Sequence, residues 1–184
     1  MNQANQESLQ RRLDLHLRAK PQIDPTAYVH PSAVIIGDVR IGPHVTILPC
    51  VVLRGDINYI EIGAYSNIQD GTVVHLSDDH PVIIGEWVTV GHAAVIHACT
   101  IETGSLIGMS ATILDGAVIG RESIVGAKSL VTMGKVIPPR SMIIGVPGRV
   151  VRSVTDEEAV HSRHLAEKYV GIGRELALIF NEIP

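Results

Sequence analysis

Residues 29–53 read VHPSAVIIGDVRIGPHVTILPCVVL. Val29, Ile35, Ile41, Ile47 and Leu53 stand six positions apart within it. Neither regular element has that period, because a strand alternates every two residues and a helix turns every 3.6. The same beat extends in both directions. Ile23 precedes the stretch, and after a three-residue insertion the run resumes at Ile62, Ile68 and Val74. A four-residue insertion leads to Ile84, Val90 and Ile96. One residue is then dropped, and the run continues at Ile101, Ile107, Ile113, Ile119, Val125, Val131, Ile137 and Ile143, so twenty positions keep the register. Four residues after the aliphatic position the side chain is small or branched, as at Ala33, Val39, Val45, Val51, Ala94, Ala111, Ala117 and Ser129. Glycine often follows it, as at Gly42, Gly63, Gly91, Gly108 and Gly126. A period of six predicts short strand, turn, short strand, turn, with glycine where the backbone bends.

Composition fits a core of thin aliphatic layers. Of 184 residues, 46% are hydrophobic but only 3% aromatic, so Val, Ile, Ala and Leu must fill the interior. Charged residues make up 18%, which is globular and not disordered. A net charge of −4 leaves no basic footprint for nucleic acid. No apolar stretch reaches the ~18 residues of a membrane span, and MNQANQESLQRR has no hydrophobic centre of a secretory signal. A cytoplasmic location is therefore expected. Cys50 and Cys99 imply no disulfide framework. The chain divides into an N-terminal segment over 1–22, with a short helix over residues 5–18, a β domain over 23–152 and a C-terminal helix over 153–184. That helix opens on a capping box at Thr155–Glu158, and Val160, Tyr169, Leu176 and Phe180 are expected to pack it on the outside.

Over residues 23–148 the pattern resembles the hexapeptide-repeat proteins. The resemblance implies an all-β fold, a left-handed parallel β-helix of triangular section with three hexapeptides per coil. Units three apart then stack. Leu53, Val74, Ile96 and Ile113 share one corner, so Arg54, His75 and His97 form an outer ladder. Adjacent coils lie about 4.8 Å apart, which makes His75 and His97 neighbours. Ile68, Val90 and Ile107 share another corner, with Gln69, Asp70, His92 and Met109 outside. Five nearly extended residues span up to about 17 Å between His92 and His97. Nitrogens bound to one zinc ion lie within about 4 Å of each other. His92 and His97 of one chain therefore cannot share an ion, but they can if prisms pack as a threefold ring and a neighbour supplies His92.

The outer positions LRGD (53–56), SNIQDG (66–71), VVH (73–75) and GHAAVIH (91–97) are similar to those of the γ-class carbonic anhydrases and their short-loop bacterial relatives. The resemblance implies a homotrimer whose interfaces each hold a metal on three histidines, matched here by His75, His92 and His97. Three imidazoles and an open position are a catalytic zinc arrangement, also acceptable to iron or cobalt. Metal-bound hydroxide would convert carbon dioxide to bicarbonate. Gln69 matches the glutamine that orients the reacting oxygen, and Asn67 supports it. Arg54 and Asp56 match a pair across the interface, and Asp70 matches a further interface acid. The family's glutamate after the aspartate is Ile57 here, and the loop after His75 is only LSDDHP (76–81). Asp78, Asp79 and His80 are the remaining candidates for a proton relay, so slow turnover is expected. His30, His44, His161 and His164 lack such partners and are read as ordinary residues.

Two other readings stay open. Many hexapeptide proteins are acyltransferases or thioesterases that bind coenzyme A between subunits. Lys128, Lys135 and Arg140 lie near the last coils, but a metal triad is not needed there. A non-catalytic trimeric assembly module would keep Arg54 and Asp56 but would not need Gln69.

Overall fold

A computed structural model of the chain describes residues 3–181. The six-residue beat becomes a parallel solenoid of about seven turns with a helix at its C-terminal end. Rungs pair in register along three faces. On the first face Ile35, Leu53, Val74, Ile96, Ile113 and Val131 stack directly above one another. The second carries Ile23, Ile41, Ile62, Ile84, Ile101, Ile119 and Ile137. The third carries Val29, Ile47, Ile68, Val90, Ile107, Val125 and Ile143. From Ile41 onward every one of these side chains is buried, and they form one continuous core. Ile23, at the open end of the solenoid, is 45% exposed, because no coil lies beyond it.

The glycines after the aliphatic residue are not the bends. The bend falls two residues later, where His44, Tyr65, Trp87 and Lys128 take positive φ between 55° and 62°. What the glycine supplies is room. A Cβ on Gly63 would lie 2.6 Å from the carbonyl carbon of Gly85 in the next coil. Coils at strand spacing thus need a residue without a side chain there. The aromatic residues stay outside, as the narrow interior demands. His44, Tyr65 and Trp87 climb one corner with ring centroids 4.9 Å and 4.0 Å apart. The Arg163 guanidinium lies 3.2 Å from the Trp87 ring centroid.

The insertions leave the regular coil. The first lies within the long strand Val52–Ile62, which runs from the first face onto the second. The second forms the loop 76–81, whose carbonyls accept from Asn58 and Arg12. The solenoid ends in an antiparallel hairpin, Ser141–Gly145 with Gly148–Ser153.

Helix α1 (Gln3–Arg12) continues into a π-helical turn, Leu13–Leu17, held by His16 on Asp38 at 3.1 Å. Helix α2 (Asp156–Asn181) lies on the third face. Its capping box forms: Glu158 N–H donates to Thr155 Oγ1 at 3.2 Å, and Thr155 N–H donates to Glu158 Oε2 at 3.0 Å. The packing stripe is built on small residues, with Ser162, Ala166 and Gly173 buried and Tyr169, Leu176 and Phe180 half-buried. Val160, expected on that stripe, faces outward. The helix comes so close that a Cβ on Gly173 would sit 2.5 Å from Thr46 Oγ1. That hydroxyl donates to the Tyr169 carbonyl at 2.9 Å. Among the described residues no helix is long and apolar enough to cross a membrane.

Candidate metal site

Parallel pairing on the first face aligns Arg54 with His75 and His75 with His97. The residues stand directly after core aliphatics Leu53, Val74 and Ile96, so their side chains leave the opposite side of the strand. His75 Nδ1 lies 3.1 Å from His97 Nε2. The other nitrogen of each ring rests on an acid: His75 Nε2 is 3.0 Å from Asp56 Oδ1, and His97 Nδ1 is 2.6 Å from Asp115 Oδ1. Asp56 also takes a short hydrogen bond from the Arg54 guanidinium. Gly55 stands between these two because a Cβ there would meet the Asp38 carbonyl oxygen at 2.5 Å.

These contacts fix the protons. Burial pushes the Asp56 carboxyl up, but hydrogen bonds from His75 and Arg54 outweigh it and hold the group below its ordinary value. Asp115 is likewise held low, its burial outweighed by the His97 hydrogen bond and charge. Ionised carboxylates only accept, so His75 Nε2 and His97 Nδ1 are the donors. Burial, with Arg54 and His97 adding to it, lowers the His75 pKa against the opposing pull of Asp56. In the neutral rings, His75 Nδ1 and His97 Nε2 then point bare lone pairs at each other. Two such acceptors at 3.1 Å repel unless a proton or a cation joins them. Two zinc–nitrogen bonds of about 2.0–2.1 Å at a tetrahedral angle set their nitrogens about 3.3 Å apart, so the pair fits a shared metal. Carboxylate behind imidazole is the arrangement that holds ligating histidines.

His92 belongs elsewhere. It follows Val90 and Gly91 on the third face, and its Nδ1 is 2.8 Å from Asp70 Oδ2. Its side chain is 44% exposed. Among the described residues no three His, Cys, Asp or Glu side chains of one chain converge as a metal cage. Two histidines at one corner and a third at another is the division that the stacking count gives.

Gln69 and Asn67, which match the family's oxygen-orienting pair, are buried beside His92. Gln69 Nε2 donates to Asn67 Oδ1 at 3.1 Å, and Asn67 Nδ2 donates to Thr89 Oγ1 at 2.9 Å. The amide orientation is thereby set, with Gln69 Oε1 left to accept. Gln69 and His92 share a 290 Å³ pocket with Leu106, Met109, Leu165 and Tyr169, so α2 closes one side of it. Asp78, Asp79 and His80 lie in an exposed loop on a second cleft of 870 Å³ that Ile57 and Asp115 also line. Cys50 is exposed and Cys99 buried, both as free thiols, and burial pushes the Cys99 thiol up to about 12.

Sequence reasoning missed Asp115 and Thr89. Thr89 was legible in principle, since Asn67 and Thr89 occupy the same position before Ile68 and Val90. Asp115 lies beyond Leu114, the residue that continues the histidine ladder, so the ladder itself gave no signal for it.

The family profile described as bacterial transferase hexapeptide (six repeats) matches residues 20–55. Carnitine operon protein CaiE of Escherichia coli (strain K12) is 47% identical over 148 residues, covering 80% of this chain and 75% of that protein. Gamma carbonic anhydrase 2, mitochondrial, of Arabidopsis thaliana is 42% identical over 160 residues, 84% of this chain. The chain spans only 58% of the length of that relative. Among solved structures, a hexapeptide transferase family protein from Anaplasma phagocytophilum superposes with a TM-score of 0.82 at 39% identity, covering 85% of this chain and 93% of that one.

Proposed function

Because the chain belongs to the hexapeptide-repeat family, in the group that holds the gamma carbonic anhydrases and CaiE, we propose that it is a metal-dependent enzyme hydrating carbon dioxide reversibly to bicarbonate. The observation that carries the reading is the facing pair of bare nitrogens on His75 and His97, each ring backed by a carboxylate. His92, backed by Asp70 on a different face, is the third ligand and comes from the neighbour in a homotrimer. Zinc, iron or cobalt suits three imidazoles. A bound dication supplies a Lewis acid and lowers the pKa of water towards neutrality.

The chain's own residues do the rest. The apolar wall of Leu106, Met109 and Leu165 suits an uncharged, non-polar substrate beside Gln69. Gln69, held by Asn67 and Thr89, keeps Oε1 free to accept a hydrogen bond and so orients a reacting O–H group. The 76–81 loop offers Asp78, Asp79 and His80 to carry the released proton to solvent. Ile57 stands where the family resemblance expects a glutamate, so proton release limits the rate.

One observation favours a second reading, acyl thioester transfer or hydrolysis. A pocket of 290 Å³ exceeds the needs of carbon dioxide and would take a short acyl chain. Against it, Arg140, one of the few cations near the last coils, is tied to Asp156 and Glu122. The test is metal content with carbon dioxide hydration on anaerobically purified protein, beside His92→Ala. One ion per chain, lost on substitution together with hydration, supports the enzyme. Metal without hydration turns attention to acyl-coenzyme A esters. Absence of metal leaves a metal-free transferase or an assembly module.

A further inference from the structure

The site residues form one row along the first face, hydrogen-bonded from Arg54 through Asp56 to His75 on one side and from His97 to Asp115 on the other, with the two bare ring nitrogens facing each other between them. Ser77 of the 76–81 loop lines the same cleft as Asp115 at the far end. We infer that Asp115 is a positioning residue of the metal site, which fixes His97 in the tautomer whose Nε2 is bare and turned towards His75.

The geometry carries this. The 2.6 Å contact to Asp115 is among the shortest made by any histidine of the site and lies on the ring nitrogen remote from His75. A carboxylate has only lone pairs to offer there, so the ring must place its proton on Nδ1. Without that acceptor a neutral imidazole divides its proton between both nitrogens. Part of the population would then carry a hydrogen on Nε2, where a metal must bind. Asp115 is itself held. Its side chain is 23% exposed, at the wall of the 870 Å³ cleft, and its own residue pair Leu114–Asp115 leads into a turn at Gly116 with φ of +66°. Asp56 does the same for His75, and Asp70 backs His92, but those two acids also match positions expected at the subunit interface. Asp115 matches none, so its role can be read without disturbing assembly.

The consequence for metal rests on the function proposed above, but the tautomer does not. The experiment therefore reads both. Protein labelled with ¹⁵N in its histidine rings is compared with Asp115→Ala and Asp115→Asn by long-range proton–nitrogen correlation, with His97 assigned from a His97→Gln sample. Metal affinity is measured on the same proteins by chelator competition with zinc. The expected result is a pure Nδ1–H ring at His97 in the parent and a mixture in Asp115→Ala. Zinc affinity should fall about 10–100-fold in that variant. Asp115→Asn keeps an acceptor oxygen, so it should recover most of the tautomer and part of the affinity. Should Asp115→Ala not fold, a loss of affinity in folded Asp115→Asn gives the same support. An Nε2–H ring in the parent, or a His97 tautomer and zinc affinity unchanged by the substitutions, overturns the inference. A tautomer change with no zinc bound by any of the proteins upholds the positioning role and removes the metal function.

Discussion

The chemistry proposed for single residues depends on which nitrogen each carboxylate takes. Asp56 occupies Nε2 of His75, whereas Asp115 occupies Nδ1 of His97, so the bare atoms differ between two rings of one ladder. The oxygen-orienting side is equally specific. Asn67→Ala removes the acceptor that holds Gln69 Nε2, and it leaves all three histidines in place. A misplaced Gln69 should lower kcat by about 10–100-fold with metal content unchanged; a variant with parental kcat would show that Gln69 is held by something else. The three histidines were legible because stacking turns sequence distance into register, and His75 and His97 do pair. Gln69 and Asn67 were legible only through the family resemblance. Asp115 was not, because nothing in its own coil repeats the residue types of the coils below.

At the level of the element, the coil and the helix obey different limits. Gly63→Ala would press a methyl group into the backbone of Gly85, at 2.6 Å before relaxation. Overpacking of this kind should cost about 1–3 kcal/mol in denaturant unfolding, with no change in site chemistry. Helix α2 is anchored at its start by Glu158, which the Arg152 guanidinium and the Thr155 backbone hold at about 2, against an ordinary 4.5. A carboxylate lowered in the folded state stabilises fully above its unfolded value and loses that contribution as pH falls through the folded one. The N-terminal turn of α2 should therefore fray between pH 4.5 and about 2. Circular dichroism of the parent and Arg152→Ala follows this, and the variant should fray at higher pH. The capping box could be read from Thr155–Glu158 because it is local. The packing face could not, since a helix seated on a nearly flat coil is limited by distance of approach. Ser162, Ala166 and Gly173 decide it, and hydrophobic residues such as Val160 do not.

For the whole molecule the question is what completes the site. Next to the histidine ladder runs a second in-register row, Val34, Val52, Val73 and Val95, of which Val34, Val73 and Val95 are exposed on the outer face. A stripe of valines beside two half-buried histidines is apolar surface that a second copy would cover. Val95→Glu should leave the solenoid folded but shift it to monomer in light scattering, with loss of bound metal. If the parent forms the proposed trimer and the variant keeps its size, the contact lies on another face. The rungs of the solenoid were legible from the six-residue beat, and which of them stack followed from the three units per coil that the family resemblance implies. Its ends were not. Ile23 keeps the beat but lies exposed, and Ile143 keeps it while the chain reverses just beyond into a hairpin. A repeat reports what lies inside it and carries no information on where stacking stops.

The central claim is that one metal site is built by two chains, and subunit mixing tests it most directly. His92→Ala and His97→Ala proteins, each expected to be metal-free, are unfolded together, refolded as a mixture and assayed for zinc. In a ring where one chain offers His75 and His97 and the next offers His92, random mixing restores about a quarter of the parental sites. Zinc recovered at that level, and absent from either variant refolded alone, is the predicted result. No recovery from mixtures shown to contain mixed trimers, or zinc retained by His92→Ala on its own, would contradict the account.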